Sequence, residues 1–292
     1  MSVQDELAAW RRRGAHEVHE GRRIFVVDLE AEDATAAASP PLLLLHGFPT
    51  ASFDYARLLP HLGDRRRILL DFLGFGDSDK PRDHRYSLFE QAALAEAVIE
   101  RRGVAEVDVV AHDMGSSIAL ILLERARLPV RRVVLMNGSL LLEHYRPLLI
   151  QRLLLHRVTG PLLSRLGVIR EPVFARSFSR LFPSPPPADE LAAFWSLIAA
   201  GGGDRIYHKL IQYLAERMRH EHAWMAALVR SDAPLLLLWG LLDPVARPAI
   251  AESIARDRPD ARYVPLPELG HYPQWEDPPR IAAEIRGFLD PP

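Results

Sequence analysis

Short apolar runs alternate with segments of helical periodicity along most of the chain. Seven of these runs are rich in Val, Ile and Leu, show little polar alternation and are bounded by turn residues, which is typical of strands buried on both faces of a parallel sheet. They span residues 23–29, 42–45, 68–71, 107–111, 133–136, 235–239 and 263–266. Helices are predicted between them, for example after the capping-box sequence Ser87-Leu-Phe-Glu90. This alternation predicts an α/β fold with a mostly parallel central sheet flanked by helices.

The alternation lapses between residues 138 and 230, where helical patterns follow one another without a strand. We therefore expect one interrupted domain, with residues 1–137 and 231–292 forming the core and residues 138–230 inserted as a helical lid. Residues 140–166 of the lid are rich in leucine and arginine. Because apolar helix faces are usually buried, we expect this stripe to pack on the core and not on a membrane surface; it includes Leu148, Leu149, Leu153 and Leu154.

The composition adds exclusions to this picture. The 292 residues include no cysteine, which excludes disulfides, thiolate metal sites and cysteine nucleophiles. With 36 basic and 38 acidic residues, the chain has a formal net charge of −2 and offers no field to hold a nucleic acid. The 12 histidines form no metal-binding motif, so we expect neither a metal nor another cofactor.

The hydropathy of the chain bears on its location. The first 20 residues lack the apolar run of a signal peptide. No stretch reaches the roughly 18 uninterrupted apolar residues of a spanning helix. We expect a soluble cytoplasmic protein without membrane association. The sequence leaves the oligomeric state open.

A buried strand, a small-residue turn and a helix follow one another at residues 107–118. This context lifts one side chain above the carboxyl edge of a sheet. Asp113 occupies the turn, within Ala-His-Asp-Met-Gly, where serine hydrolases have the serine of Gly-x-Ser-x-Gly. By itself an aspartate here is typical of a helix N-cap. The residues that accompany it favour a nucleophile: Asp243 follows another predicted strand, and His271 comes later in the chain.

These residues and several longer motifs resemble the α/β-hydrolase fold superfamily, in its aspartate-nucleophile branch of epoxide hydrolases and haloalkane dehalogenases. Over nearly the whole chain the motifs are similar to the mesoderm-specific transcript subfamily. They are His-Gly-Phe-Pro-Thr at 46–50, Asp-Phe-Leu-Gly-Phe-Gly-Asp-Ser-Asp-Lys-Pro at 71–81, His-Asp at 112–113, Asn-Gly at 137–138, Arg-Pro-Leu-Leu at 146–149, Gln-Tyr at 212–213, Leu-Asp-Pro-Val at 242–245 and His-Tyr-Pro-Gln-Trp-Glu-Asp-Pro at 271–278.

The resemblance implies two half-reactions at one site. A carboxylate such as Asp113 is suited to attack at a saturated carbon, which gives an alkyl-enzyme ester. His271 would then activate a water that cleaves the ester, and Asp243 would orient the imidazole. The backbone N–H groups of Phe48 and Met114 would hold the developing oxyanion. The expected substrate is small and apolar, with water as the second reactant.

The leaving group separates the two chemistries of this branch. The side chains of Phe48 and Met114 cannot donate a hydrogen bond to a halide. Epoxide opening needs a phenolic donor on the lid, and Tyr213 is the first candidate, with Tyr145 or Tyr207 as an unresolved second donor. The leading hypothesis is therefore an epoxide hydrolase that forms vicinal diols. Further residues are expected around the pocket: His46, His112, Trp195 and Trp224.

Three alternatives stay open. A haloalkane dehalogenase would use the same nucleophile, with Trp195 or Trp224 reaching the pocket as halide donor. An ester or lactone hydrolase would use Ser117, although this serine lies four residues beyond the turn. A hydrolase fold retained for binding a ligand or lipid would need no chemistry, but none of the expected catalytic residues is missing.

Overall fold

A computed structural model describes residues 2–33 and 39–290. Eight strands form one sheet: β1 (Gly14–His19), β2 (Arg22–Leu29), β3 (Leu42–Leu45), β4 (Arg67–Leu70), β5 (Val107–His112), β6 (Val130–Met136), β7 (Leu235–Gly240) and β8 (Arg262–Leu266). Their order is β1-β2-β4-β3-β5-β6-β7-β8. The pairs β1–β2 and β2–β4 are antiparallel and the other five are parallel. The predicted α/β class with a mostly parallel sheet is confirmed.

All seven predicted strands are present, with ends that shift by at most three residues. The largest shift is at β6, whose first three residues are only half-buried and therefore lack an apolar pattern. Strand β1 was not predicted. It is an edge strand in which only His19 is buried, so its polar sequence Gly-Ala-His-Glu-Val-His carries no apolar signal. The turn that joins it to β2 has positive φ at Glu20 and Gly21.

Twelve α-helices connect and cover these strands within the described residues: α1 (Val3–Arg13), α2 (Leu88–Glu100), α3 (Met114–Arg125), α4 (Leu149–Leu155), α5 (Thr159–Leu166), α6 (Glu171–Phe178), α7 (Ala188–Ala199), α8 (Tyr207–Leu210), α9 (Tyr213–Arg230), α10 (Ala249–Asp257), α11 (Pro273–Glu276) and α12 (Pro278–Leu289). Short 3-10 turns occur at Ser52–Tyr55, Leu59–His61, Leu142–His144, Ser179–Leu181 and Ala200–Arg205.

The cap of α2 differs in one respect from the expected capping box. Ser87 does cap the helix, because its hydroxyl accepts from the N–H of Phe89. Glu90 instead contacts the His84 ring at 2.8 Å and does not return a bond to the backbone of Ser87. The reciprocal half of the motif is therefore missing, since a tertiary neighbour competes for the glutamate.

Residues 138–230, called the helical segment below, form no strand among the described residues, apart from an isolated bridge between Tyr145 and Ala246. Helix α9 of this segment packs along α3, which directly follows β5. Near Ser179–Leu181, the carbonyl of Leu181 accepts from the N–H of His271 at 2.9 Å. The helical segment thus contacts the loops at the carboxyl ends of β5 and β8.

The leucine stripe of α4 does not pack as expected. Leu154 is buried and Leu148 is half-buried, but Leu149 is 66% exposed and Leu153 is 37% exposed. The expectation that the whole stripe covers the core is wrong for these two residues. Leu149 and Leu153 lie four positions apart on the exposed side of α4, whereas Leu154 lies on its buried side. Among the described residues, none of the helices is long and apolar enough to cross a bilayer.

Candidate active site

Asp113 lies at a strained turn between β5 and α3. Its backbone has φ 47° and ψ −112°, which is unusual for a residue other than glycine. Close packing holds this turn: a Cβ at Gly115 would lie 2.3 Å from the carbonyl oxygen of Leu45, and a Cβ at Gly47 would lie 2.7 Å from the Cβ of Asp113. Asp113 stands at the N-cap position of α3, but its side chain makes no capping hydrogen bond. Its carboxylate is therefore available to other partners.

Three groups face the Asp113 carboxylate. The backbone N–H of Phe48 donates to Oδ1 at 2.9 Å, and the hydroxyl of Ser139 donates to Oδ2 at 3.3 Å. Nε2 of His271 lies 3.7 Å from the same Oδ2. Met114, the second expected oxyanion donor, begins α3 directly after Asp113, but its N–H makes no hydrogen bond to this carboxylate within the described parts of the chain. One oxygen is thus held by the backbone, and the other faces an imidazole.

The second carboxylate, Asp243, is held rigidly behind the imidazole. Its Oδ2 lies 2.6 Å from Nδ1 of His271 and also accepts from Nδ2 of Asn137 at 2.8 Å. Its Oδ1 accepts from the backbone N–H groups of Val245 at 2.7 Å and Ala246 at 3.0 Å. Because these contacts fix the carboxylate in place, Asp243 can orient the ring and hold the proton on Nδ1.

The charge state of His271 follows from its two carboxylate neighbours. Burial by itself would lower the pKa of His271, because an apolar environment disfavours the imidazolium. The charge and hydrogen bond of Asp243, followed by the charge of Asp113, outweigh burial and raise this pKa to about 9. The resting imidazole is therefore protonated at neutral pH as long as both carboxylates are charged.

Two other histidines brace the loops around the site. Nε2 of His46 accepts from the N–H of Phe72 at 3.1 Å, so its Nδ1 donates to the carbonyl of Gly47 at 2.8 Å. Nε2 of His112 donates to the carbonyl of His271 at 2.7 Å. Burial lowers the pKa of His46 to about 4 and that of His112 to about 3, so both rings are neutral. No group of three or more His, Asp or Glu within residues 2–33 and 39–290 is placed to hold a metal ion.

The charge of Asp113 affects the pKa of two tyrosines of the helical segment, Tyr145 and Tyr213. Tyr213, at the start of α9, packs on the ring of Phe48 with centroids 5.8 Å apart. Burial raises the pKa of Tyr213 and of Tyr145, and the charge of Asp113 raises both further. The hydroxyl of Tyr145 is buried and has no hydrogen-bond partner in the described structure. Both phenols are therefore neutral donors within electrostatic range of the carboxylate.

Tyr207 has a different environment. Its ring also packs on Phe48, at 5.6 Å between centroids, and its hydroxyl is buried without a partner among the residues described. Its pKa is raised by burial and then by the charge of Asp204. It lines a small apolar cavity of about 50 Å³ between Phe48 and helices α4 and α6.

The two tryptophans occupy other parts of the helical segment. Trp195 lies on α7 and packs against Phe174, with ring centroids 5.6 Å apart. Trp224 lies on α9 between Phe89 and His220, at 5.5 Å and 5.4 Å. Neither ring contacts Phe48, Tyr213 or His271 within the described residues. Their ring contacts are those of packing residues, and the buried Nε1 of Trp224 has no hydrogen-bond partner in the described structure.

Several residues at the site were not singled out from the sequence. Arg217 on α9 is fully buried: its Nε donates to the hydroxyl of Ser117 at 2.7 Å, and its Nη1 donates to the carbonyl of Ser139. Arg217 thus positions the loop whose serine hydroxyl contacts Asp113. Asn137, with φ 40°, joins β6 to the carboxylate of Asp243. The Asn-Gly motif at 137–138 could have marked Asn137 as a residue of the site, whereas nothing in the sequence around Arg217, on a helix rich in polar residues, indicates its role.

The strand order, with an acidic turn after β5, an acid after β7 and a histidine after β8, defines an α/β-type hydrolase. The family model described as alpha/beta hydrolase fold matches residues 40–278, and the chain belongs to this family. The suspected resemblance is thereby confirmed at the level of the fold.

Individual relatives agree with this membership. The chain is 45% identical over 258 residues to the protein named "Putative hydrolase LipZ" of Mycobacterium tuberculosis. The matched region covers 86% of this chain and 88% of that one. It is 35% identical over 300 residues to the mesoderm-specific transcript protein of Mus musculus, covering 97% of this chain and 88% of that one. The crystal structure of haloalkane dehalogenase DbeA from Bradyrhizobium elkani shares the fold with a TM-score of 0.80 at 24% identity, covering 94% and 97% of the two chains.

Proposed function

We propose that this hydrolase opens apolar epoxides to vicinal diols by covalent catalysis at Asp113. One observation carries the proposal: Tyr213 packs on Phe48, whose N–H binds Asp113, and the hydroxyl of Tyr145 is buried without a partner in the described residues. The charge of Asp113 raises the pKa of both phenols. Opening an epoxide releases an alkoxide, which needs a proton donor opposite the attacking carboxylate. Because burial raises the pKa of both phenols, they stay protonated and can serve as that donor. Tyr145 is a better second donor than Tyr207, because the charge of Asp113 raises the pKa of Tyr145, whereas the charge that acts on Tyr207 is that of Asp204.

In the first half-reaction, Oδ2 of Asp113 attacks one epoxide carbon while the bond from that carbon to the epoxide oxygen breaks. A phenol of Tyr145 or Tyr213 gives its proton to this oxygen, which becomes the first hydroxyl of the product. The other carboxylate oxygen, Oδ1, becomes the ester carbonyl and keeps its hydrogen bond from Phe48. The products of this step are an alkyl ester and a phenolate.

The second half-reaction hydrolyses the ester. Esterification removes the negative charge of Asp113, which is one of the causes that raise the pKa of His271. The pKa therefore falls after alkylation, so the imidazolium releases its proton to solvent and becomes a base only when an ester is present to hydrolyse. It takes a proton back from solvent once the Asp113 carboxylate is restored. His271 takes a proton from water, whose oxygen attacks the ester carbon, and the N–H of Phe48 stabilises the oxyanion at Oδ1. The imidazolium then protonates the departing diol, and the new carboxyl proton restores the phenol.

A haloalkane dehalogenase is the second candidate, since a relative in fold carries that name. It would share the nucleophile and the water step. Phe48 and Met114 supply no side-chain donor for a halide, and Trp195 and Trp224 pack elsewhere in the helical segment. These surroundings favour the epoxide. Ser117 is a poor nucleophile for an ester hydrolase, because its hydroxyl already accepts from the guanidinium of Arg217.

The test combines turnover with trapping of the intermediate. The wild-type protein is incubated with styrene oxide, and diol formation is followed; halide release from bromoalkanes is measured in parallel. His271→Gln should form the ester and fail to hydrolyse it, so that intact mass increases by one substrate, whereas His222→Gln, an exposed histidine of α9, should behave as wild type. No diol from a broad epoxide panel, or full activity in Asp113→Ala, would reject the proposal.

The phenols are tested in the same assay. Tyr145→Phe and Tyr213→Phe should each slow ester formation by about a hundredfold, because each loses a proton donor. Tyr263→Phe on β8 is the matched control. Slow ester formation from epoxides combined with unchanged halide release would assign the site to epoxides. The reverse pattern would assign it to haloalkanes.

A further inference from the structure

Exposed apolar side chains are concentrated in one part of the molecule. Of eleven large hydrophobic side chains that are exposed in the described residues, seven lie between residues 149 and 173. They are Leu149, Leu153, Val158, Leu162, Leu166, Val168 and Val173, and Leu149, Val158 and Leu166 are each more than 60% exposed. We call the exposed faces of α4, α5 and α6, with their connecting loops, the apolar-basic face. A patch of this kind marks an interaction surface.

The same face carries an excess of positive charge. Residues 149–180 contain six arginines and one glutamate, whereas the rest of the chain has 30 basic and 37 acidic residues. The arginines are Arg152, Arg157, Arg165, Arg170, Arg176 and Arg180, and all six are exposed. Five of them make no hydrogen bond or ion pair through the side chain within the described residues, the exception being Arg170, which donates to a neighbouring carbonyl. These charges are therefore available to an external anion.

The two kinds of residue share the same helix faces. On α4 the exposed positions are Leu149, Arg152 and Leu153, which are spaced three and four residues apart. Helix α5 repeats this spacing with Leu162, Arg165 and Leu166. Positions three and four apart lie on one side of a helix, so each helix presents leucines flanking an arginine. Leucine and arginine on one exposed face are typical of helices that lie in the interface of an anionic membrane.

A cavity lies directly beneath this face. Leu154 of α4 and Phe174 of α6 line it from the inner sides of the two helices, and Val173, which is 41% exposed, belongs to both the cavity wall and the apolar-basic face. Phe48, whose N–H binds Asp113, lines the same cavity. An apolar molecule dissolved in a bilayer would therefore meet an apolar space next to the candidate active site.

We propose that the apolar-basic face docks on an anionic lipid bilayer and presents this cavity to apolar molecules dissolved there. A second copy of the chain is disfavoured, because pairing two such faces would bring together two surfaces of the same positive sign. A protein partner is also less suitable, since this face exposes aliphatic residues and no aromatic anchor. The docking surface is independent of the reaction at Asp113, so either proposal can fail alone.

Sedimentation with vesicles tests the proposal. The full-length protein should bind vesicles of phosphatidylglycerol mixed with phosphatidylcholine more tightly than vesicles of phosphatidylcholine alone, and high salt should weaken the binding. Each arginine near an anionic surface strengthens partitioning by about fivefold, so the triple variant R152Q/R165Q/R176Q should bind on the order of a hundredfold more weakly. The triple variant L149Q/L162Q/L166Q should lose at least tenfold by losing insertion.

Matched controls lie outside the face. Arg256→Gln on α10 and Val18→Gln on β1 replace an exposed arginine and an exposed aliphatic residue outside the face and should leave binding unchanged. All variants should keep wild-type activity on a water-soluble epoxide, or wild-type unfolding if no activity is found, because none of these side chains contacts the site. Absence of sedimentation with anionic vesicles would overturn the proposal. So would equal effects of face and control variants, or a concentration-dependent dimer that both triple variants abolish.

Discussion

Replacing Asp243 by asparagine would test the proposed switch between the two half-reactions. In the native site, Oδ1 of Asp243 accepts from two backbone N–H groups, and Oδ2 faces Nδ1 of His271. In Asp243→Asn the amide oxygen must take the Oδ1 position, because only an acceptor satisfies those two N–H groups. The amide NH₂ then faces Nδ1 of His271, and the ring must carry its proton on Nε2. That tautomer cannot accept a proton from water beside Asp113.

The size of the effect follows from the electrostatics of the site. A rise in the pKa of His271 from 6.5 to about 9 corresponds to roughly 3 kcal/mol in favour of the imidazolium, and Asp243 is the largest favourable cause. Loss of that charge, together with the wrong tautomer, should slow ester hydrolysis by about 10³ to 10⁴. Ester formation uses Asp113 and a phenol, so it should change by only a few fold.

Rapid mixing with styrene oxide, followed by acid quenching and intact mass measurement, separates the two rates. We expect Asp243→Asn to accumulate the alkyl ester within the first turnover and to lose it slowly. Asp257→Asn, at an exposed aspartate of α10, should show no accumulation beyond that of wild type. If folded Asp243→Asn formed the ester and hydrolysed it within tenfold of the wild-type rate, the proposed role of the His271–Asp243 pair would be refuted.

Three further predictions use other parts of the site. Gly47→Ala should slow ester formation at least a hundredfold, because the added Cβ would lie only 2.7 Å from the Cβ of Asp113. In the control Gly287→Ala, the added Cβ would lie 4.0 Å from its nearest neighbour, and the rate of ester formation should not change. Arg217→Met should lower the free energy of unfolding in urea by roughly 2 kcal/mol, since it leaves the buried carbonyl of Ser139 unpaired, and equal stability of Arg217→Met and the exposed-site control Arg219→Met would contradict this. Protonation of His271 stabilises the folded state fully below pH 6.5, and this contribution is lost as pH rises through about 9. The difference in free energy of unfolding between wild type and His271→Gln should therefore shrink by roughly 3 kcal/mol across that interval. Urea titrations at both ends of the interval measure it, and a constant difference would contradict the assignment.

The sequence by itself determined the framework of this protein. Strands β3 to β7 were predictable because a strand buried in a parallel sheet must be apolar on both faces, a signal carried by neighbouring residues. The positions of Asp113, Asp243 and His271 near one edge of the sheet were predictable because each lies within five residues of the end of a predicted strand. Strand β1 was missed because an exposed edge strand needs no apolar residues.

Only the tertiary structure decided which distant residues meet. Arg217 reaches the loop of Ser139 because α9 packs along α3, and no local pattern distinguishes it from the exposed Arg219 two residues later. Tyr145 pairs through a bridge with Ala246, about a hundred positions away in the chain, and the charge of Asp113 raises its pKa. The exposure of Leu149 likewise depends on which side of α4 packs against neighbouring elements. Periodicity specifies that a helix has an apolar face, whereas packing against other elements decides whether that face is covered.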